Sequence, residues 1–395
     1  MPRLAKQKLP RDERGIALIM VLSLVALVAT VVSDFQYNSR VSYQLAINAR
    51  DELQAEYNAI SAMRMRALLL KQSGKLNSQR SLIASAIGID VNMIPPIGQL
   101  VEMVPVECGL LSTIMKTPDA STDSKSEALE EEGLLNGECM ATSSSEHAKI
   151  SVNMLRNQLN NSSKNITKLL LGLLSEPRLE KHFQEDDRNG THADNPEELV
   201  GALIDWTDND NNQSGNQVSD EDRFYAYLKD SYKVKNAPFD SLEEVQLVHG
   251  MDDDLFNMLK DHLSIYTDGT QMELATAPTD RIVLLGLPAA MHEGFVPEQL
   301  WMHPRFAEFY VALSELKQMG GMGFGILNVK VLTGLIAQFE LQSVVNVQAI
   351  SKVFTDKPST TWYTIKAEGT VGYASRRLKG VFQASEGKFY YMRVE

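Results

Sequence analysis

Arg14-Gly15-Ile16-Ala17-Leu18-Ile19-Met20-Val21-Leu22-Ser23-Leu24-Val25-Ala26-Leu27-Val28-Ala29-Thr30-Val31-Val32-Ser33 is the stretch on which the fold turns. From Ile16 to Ser33 there is no charge, no proline and no glycine. As a helix those residues span roughly 27 Å, about the thickness of a bilayer's hydrocarbon core. Arg3, Lys6, Lys8, Arg11 and Arg14 precede the run, with Asp12 and Glu13 among them. Basic residues in front predict that this end stays in the cytoplasm. A cleaved secretory signal fits less well. Its apolar core is shorter and ends in a small-x-small site, whereas Ala26–Ala29 is followed by further apolar residues. A plain membrane anchor remains a second reading of composition alone.

Beyond Asp34 the chain is polar yet holds no helix breaker before Gly74. Val41, Leu45, Ala46, Ala49, Leu53, Tyr57, Ile60 and Met63 recur at three- and four-residue steps, the period of an amphipathic helix. The apolar run therefore continues into a spine of about 55 residues, on the order of 80 Å. The rest bounds the class. The 395 residues carry 38 Lys and Arg against 51 Asp and Glu, a net charge of -13, which opposes non-specific binding to nucleic acid or anionic lipid. Cys108 and Cys139 are the two cysteines, too few for a disulfide scaffold or a four-cysteine zinc site.

A basic leader ending in glycine, then a helix apolar first and amphipathic afterwards, resembles the type IV pilin-like proteins. The Arg14-Gly15-Ile16-Ala17-Leu18-Ile19 junction looks like a prepilin peptidase site, cut between Gly15 and Ile16. In most such proteins the fifth residue after the cut is Glu; here it is Met20, and no acid follows until Asp34. The missing carboxylate, the Asn48-Ala49-Arg50-Asp51 segment and the great length resemble the K-type minor pseudopilins of type II secretion systems. The resemblance implies an α+β fold. A long transmembrane and amphipathic helix would carry a pseudopilin-like α/β head into which a large helical domain, similar to SAM or helix-hairpin-helix units, is inserted.

The expected organisation is a leader at 1–15, a membrane part at 16–33, an amphipathic continuation at 34–73 and a first head segment at 74–148. In that segment residues 75–116 read as short strands and turns, and 117–147, rich in Ser, Thr, Glu and Asp, as a mobile loop. An inserted helical domain at 149–270, a second helical segment at 271–350 and C-terminal strands at 351–395 follow. Cys108 and Cys139 bracket the loop. In an oxidising compartment they can pair and close it, contributing roughly 3 kcal/mol; otherwise they stay unpaired.

The acidic loop Asp205–Asp222 (DWTDNDNNQSGNQVSDED) holds Asp205, Asp208, Asp210, Asp220, Glu221 and Asp222, with Asn212 between them. So many hard oxygen donors suit calcium. Asp208-x-Asp210-x-Asn212 begins like an EF-hand, but the sixth position is Gln213 and the twelfth Ser219, so a true EF-hand is not expected. A merely solvated acidic face is the competing reading. Asp205-Trp206, Asp220-Glu221-Asp222 and Phe224-Tyr225 match the order in the K family, which implies two calcium ions here.

Ser241–Leu259 reads as helix, turn at Gly250 and helix, with Ser241 as N-cap. Such a unit can present backbone N–H groups to DNA phosphate, but Asp252, Asp253 and Asp254 stand where the phosphate would approach, so no nucleic-acid partner is expected. The glycines at 320–325 lack the Lys-Ser/Thr of a P-loop. No catalytic constellation is found. The expected function is a structural minor pseudopilin at the tip of the pseudopilus in a bacterial inner membrane, its head in the periplasm. Expected partners are prepilin peptidase, I- and J-type minor pseudopilins and the major pseudopilin below. A membrane-anchored DNA-uptake protein and an anchored metal-dependent hydrolase are the alternatives.

Overall fold

The computed structural model describes residues 12–79, 101–102, 104–109, 137–156, 161–184, 193–214, 220–321, 327–356 and 361–394, with isolated residues from 82 to 88. Helix α1 runs unbroken from Asp12 to Ser78. It is long and apolar enough to cross a membrane, and none of its most apolar window is buried by the rest of the chain. The expected stop at Gly74 is overridden. One glycine costs a helix about 1 kcal/mol, and Leu70 and Ser73 are buried by tertiary contacts just before it. The helix also extends back through Gly15, so the last residues of the expected leader are helical.

The chain next forms β1 (Val106–Glu107) and β2 (Glu138–Ser145). It then leaves for a distal domain and comes back as β7 (Trp362–Val371), β8 (Ala374–Gln383) and β9 (Lys388–Val394). These make an antiparallel sheet in the order β1-β2-β7-β8-β9. The 117–147 loop is thereby corrected: its last part is β2, paired with β7 from Glu138↔Thr370 to Ser145↔Tyr363. Its side chains alternate with Cys139, Ala141 and Ser145 inward, a strand pattern written in small residues that composition alone conceals. The 75–116 reading falls largely outside the described residues.

Small residues recur where α1 meets the sheet. Ala55, Ala59 and Ala62 are fully buried, and opposite them is Gly369 on β7. A Cβ at Gly369 would lie 2.1 Å from the Ala55 carbonyl oxygen, so the helix rests directly on the strand backbone. Met63, Leu70, Val106, Tyr363, Ile365, Leu378 and Phe382 complete this first core.

The distal domain has its own core, which runs from Ala148 to Phe354. Its main helices are α2 (Asn161–Leu174), α3 (Pro196–Thr207), α4 (Asp253–Leu259), α5 (Phe306–Gly321), α6 (Val329–Gln338) and α7 (Val347–Val353). Two short parallel pairs tie remote segments together. β3 (Ile150–Ser151) lies beside β4 (Leu263–Ser264), and β5 (Met272–Glu273) beside β6 (Phe354–Thr355). The expected boundary at 270/271 is therefore absent. Leu274, Leu285, Leu313, Leu332 and Ile350 share one core with Leu155 and Leu203, so the two segments pack as one unit. The 351 boundary shifts as well, since Phe354 belongs to the distal core. Residues 148–354 hold 17 Lys and Arg against 30 Asp and Glu, so the distal domain carries the whole net charge of -13.

Direction along the spine follows from contacts at the two sheet ends. Gly372, in the β7–β8 turn, lies against Asp51, while Gly387, in the β8–β9 turn, lies against Lys71. The distal domain departs at Ser145 and rejoins at Trp362, both at the Lys71 end. From Ser33 to Lys71 is roughly 57 Å of helix.

Candidate metal centre

Helix α3 starts where Asn195 accepts the Glu198 N–H at 2.8 Å and Pro196 takes the first turn. Leu199, Val200, Leu203, Ile204 and Trp206 bury its inner face, which places Asp205 in its last turn and Asp208 at its C-cap. Helix carbonyls make that end negative, so two carboxylates there are unfavourable without a cation. A bridge between Asn212 and Asp220 folds the loop back and brings Glu221 to the same point. Asp208 is half-buried, Asp205 is 5% exposed and Glu221 3%. Their ligand oxygens all lie within 4.8 Å of one another.

Asp205 Oδ1 accepts the Ser214 N–H at 2.7 Å. Asp208 Oδ1 and both Glu221 oxygens are buried with no hydrogen-bond partner. Burial, followed by repulsion from neighbouring carboxylates, lifts Asp208 to about 7 and Glu221 to about 8. Burial also raises Asp205, although Ser214 opposes it. Three convergent carboxylates, two of them with orphaned oxygens, fit a hard cation bound through oxygen, and the set contains no sulfur or imidazole donor for a softer metal.

The other four expected ligands have work within the loop. Asp210 Oδ1 accepts the Asn212 N–H, and Asp220 Oδ1 the Asp222 N–H. Asp222 Oδ1 accepts from Val234 N and its Oδ2 lies 3.5 Å from Lys233 Nζ; Asn212 itself is exposed. Residue 215 and residues 216–219 lie outside the described set. Sequence reasoning missed Asn236. Its backbone is left-handed at φ 50, and its Nδ2 donates to Asp210 O and Asn211 Oδ1. The Asn236 Oδ1 is a further buried, unpartnered oxygen at this loop. An Asn in that backbone region is a usable signal, since Asn tolerates it better than other side chains.

Around Gly250 the first expected helix is a 3-10 turn, Leu242–Leu247, capped by Ser241, and the second is α4. Gly250 has φ 85, and a Cβ there would meet Ala193 Cβ at 2.5 Å. The turn is covered by the protein's own chain. Asp252 caps α4 and holds His182 Nδ1 at 2.9 Å. Elsewhere, Cys108 and Cys139 form a disulfide with Cα atoms 5.1 Å apart, Gly15 and Ile16 lie within α1, and Met20 is 67% exposed on it.

Comparison with known proteins gives a consistent assignment. The family model described as type II secretion system (T2SS), protein K matches residues 148–268, which include the carboxylate site. Type II secretion system protein K of Klebsiella pneumoniae is 25% identical over 281 residues, 69% of each chain. The protein of the same name from Pectobacterium carotovorum subsp. carotovorum is 24% identical over 200 residues, 50% of this chain and 54% of that one. Among solved structures, the GspK-GspI-GspJ complex from the enterotoxigenic Escherichia coli type 2 secretion system matches with TM-score 0.44 and 17% identity. That match covers 66% of this chain and 80% of the other. Its apolar spine, its inserted distal domain and its protein K matches support placing the chain with the K-type minor pseudopilins of type II secretion systems.

Proposed function

We propose that this minor pseudopilin stands at the tip of the secretion pseudopilus, where it starts or caps assembly and aids export of folded proteins across the outer membrane. The observation that carries this is where the distal domain leaves the head. It departs at the Lys71 end of the sheet, the end away from the membrane-spanning part of α1. More than half of the chain therefore occupies the space above the spine that a further subunit would need. Residues 16–33 anchor the protein in the inner membrane with the basic end cytoplasmic and the head periplasmic. Prepilin peptidase cuts between Gly15 and Ile16, and Ile16 is then methylated. I- and J-type minor pseudopilins are its neighbours and the major pseudopilin lies below.

Calcium is the cation that Asp205, Asp208 and Glu221 would hold. Bound there, it supplies charge neutralisation. Asp205 contributes the link to Ser214, and Glu221 brings the returning strand of the loop to α3. The role is structural: the cation fixes the loop beside Trp206.

Site-specific cross-linking from Asn48 on the spine tests the placement. Cross-links are expected only to other minor pseudopilins, at about one copy per filament. Abundant adducts with the major subunit along the shaft would overturn the tip reading. Mass spectrometry of the mature chain is expected to find Ile16 at its N-terminus.

A further inference from the structure

The head and the distal domain keep separate apolar cores. Most of the contacts that join them are polar. The chain crosses from β2 into the distal domain through one 3-10 turn, Glu146–Ala148, with all three residues buried. The Glu146 carboxylate receives the Lys149 ammonium from the distal side and the Thr364 hydroxyl from β7. It also takes a hydrogen bond from Ser264 of the distal domain. Lys149 Nζ in turn lies 3.4 Å from Thr364 Oγ1. Glu146 is 1% exposed and the Lys149 side chain 9%. Burial disfavours the Glu146 charge, but Lys149, Ser264 and Thr364 outweigh it and hold the carboxyl below its ordinary range.

Further contacts surround this pair. His147 Nε2 lies 2.9 Å from Thr361 Oγ1, and the Tyr391 hydroxyl on β9 donates to Glu243 Oε1 at 3.2 Å. Trp362, the first residue of β7, stacks on Tyr266 of the distal domain at 5.5 Å. Two domains joined by a modest polar interface reorient by default, unless specific contacts forbid it. A buried ion pair adds little net stability, because desolvation offsets its attraction, but it demands one geometry.

We propose that Glu146 and Lys149, anchored on Thr364, form an orientation lock that holds the distal domain at one fixed angle on the spine. Its use at a filament tip rests on the reading above, since a push along the spine would reach the distal domain without bending at the junction. The lock itself does not depend on that reading, and its test reads only the angle.

The full-length chain in detergent micelles would carry nitroxide labels through Arg64→Cys on α1 and Met302→Cys on the distal domain, both exposed, with the native disulfide kept. Pulsed electron paramagnetic resonance should give one narrow distance distribution. In the Glu146→Gln/Lys149→Met double variant the distribution should become about twice as wide while the melting temperature holds, because a neutral pair removes the geometric demand and leaves no buried charge unpaired. A distribution as narrow as the parent's, or a parent already broad, overturns the lock. If the double variant does not fold, Thr364→Val removes the anchor and keeps the ion pair. It should broaden the distribution in the same way, and an unchanged width there refutes the proposal.

Discussion

The indole Nε1 of Trp206 donates to Glu244 Oε1 at 3.0 Å. Glu244 also accepts the Asp240 N–H and binds the Lys235 ammonium. The C-terminal end of α3 is thereby fixed to the turn at 242–247, and stacking of Trp206 on Phe239 at 6.3 Å adds to the hold. The backbone that carries Asp205 and Asp208 is held on either side of Trp206 by these contacts. The scaffold is held by its neighbours, so the repulsion between the carboxylates is relieved by a proton and would be relieved by a bound cation.

A pH dependence follows in the cation-free protein. Asp208 and Glu221 bind protons more tightly folded than unfolded, at about 7 and about 8. Their contribution is present below the ordinary carboxylate range and is lost as pH rises through those values. In a chelator the melting temperature should therefore fall from pH 5 to pH 8. Calcium at a hundred times its Kd should restore about 2.7 kcal/mol at the upper end. Asp208→Asn and Glu221→Gln should each flatten the slope and weaken the calcium effect. Melting curves that ignore both calcium and pH would remove the site.

Reduction of Cys108–Cys139 gives a second test. The bond closes a loop of 31 residues, worth about 3–4 kcal/mol by chain-entropy reasoning. It joins the short strand β1 to the start of β2, so Cys108→Ser/Cys139→Ser should lose amide protection first at Val106, Glu107 and Met140. Uniform protection together with an unchanged melting temperature would show that the bond constrains nothing.

The spine was readable because its signals are local: an 18-residue apolar run, then a helical period. C-terminal strands were readable within 351–395, where apolar and polar residues alternate over 362–371 and 388–394. Strand β2 was hidden because α1 approaches β7 and β2 so closely that Ala141 and the serines suffice inside, which leaves a segment that looks like polar loop. The single distal core was hidden for another reason. Met272 pairs with Phe354 across 82 residues, and no local pattern reports such a contact. At the carboxylate site the acids were legible as a cluster, but which three converge depends on the Asn212–Asp220 bridge and on backbone capping, both products of the fold.

Two glycines should respond oppositely to alanine. At Gly369 the new Cβ meets the Ala55 carbonyl oxygen at 2.1 Å and Ala59 N at 2.6 Å, both backbone atoms of α1. Neither can move alone, so Gly369→Ala should cost about 1–3 kcal/mol. Gly334 is exposed within α6 with nothing near its Cβ position, so Gly334→Ala should add about 0.4–1 kcal/mol. Thermal or urea melts of both variants decide it. Equal effects would mean that the helix does not rest on β7 as described.

Met20 offers the sharpest test of position in the filament. It is 67% exposed on the part of α1 that is long and apolar enough to cross a membrane, at the position where the resemblance to pilin-like proteins implies a glutamate. A carboxylate there is tolerated when an amine of the neighbouring subunit meets it, and it costs up to about 3 kcal/mol in lipid when none does. In a subunit at the tip nothing lies above to supply that amine. Met20→Glu should therefore gain no new neighbour and should enter the membrane less efficiently. Both are measurable, by membrane fractionation and by cross-linking from Asn48. A Met20→Glu variant that inserts normally and begins to cross-link with the major subunit along the shaft would show that the missing carboxylate was all that kept this chain out of the filament body. The bulk of residues 148–354 would then not be the obstacle, and the tip reading would lose its main physical support.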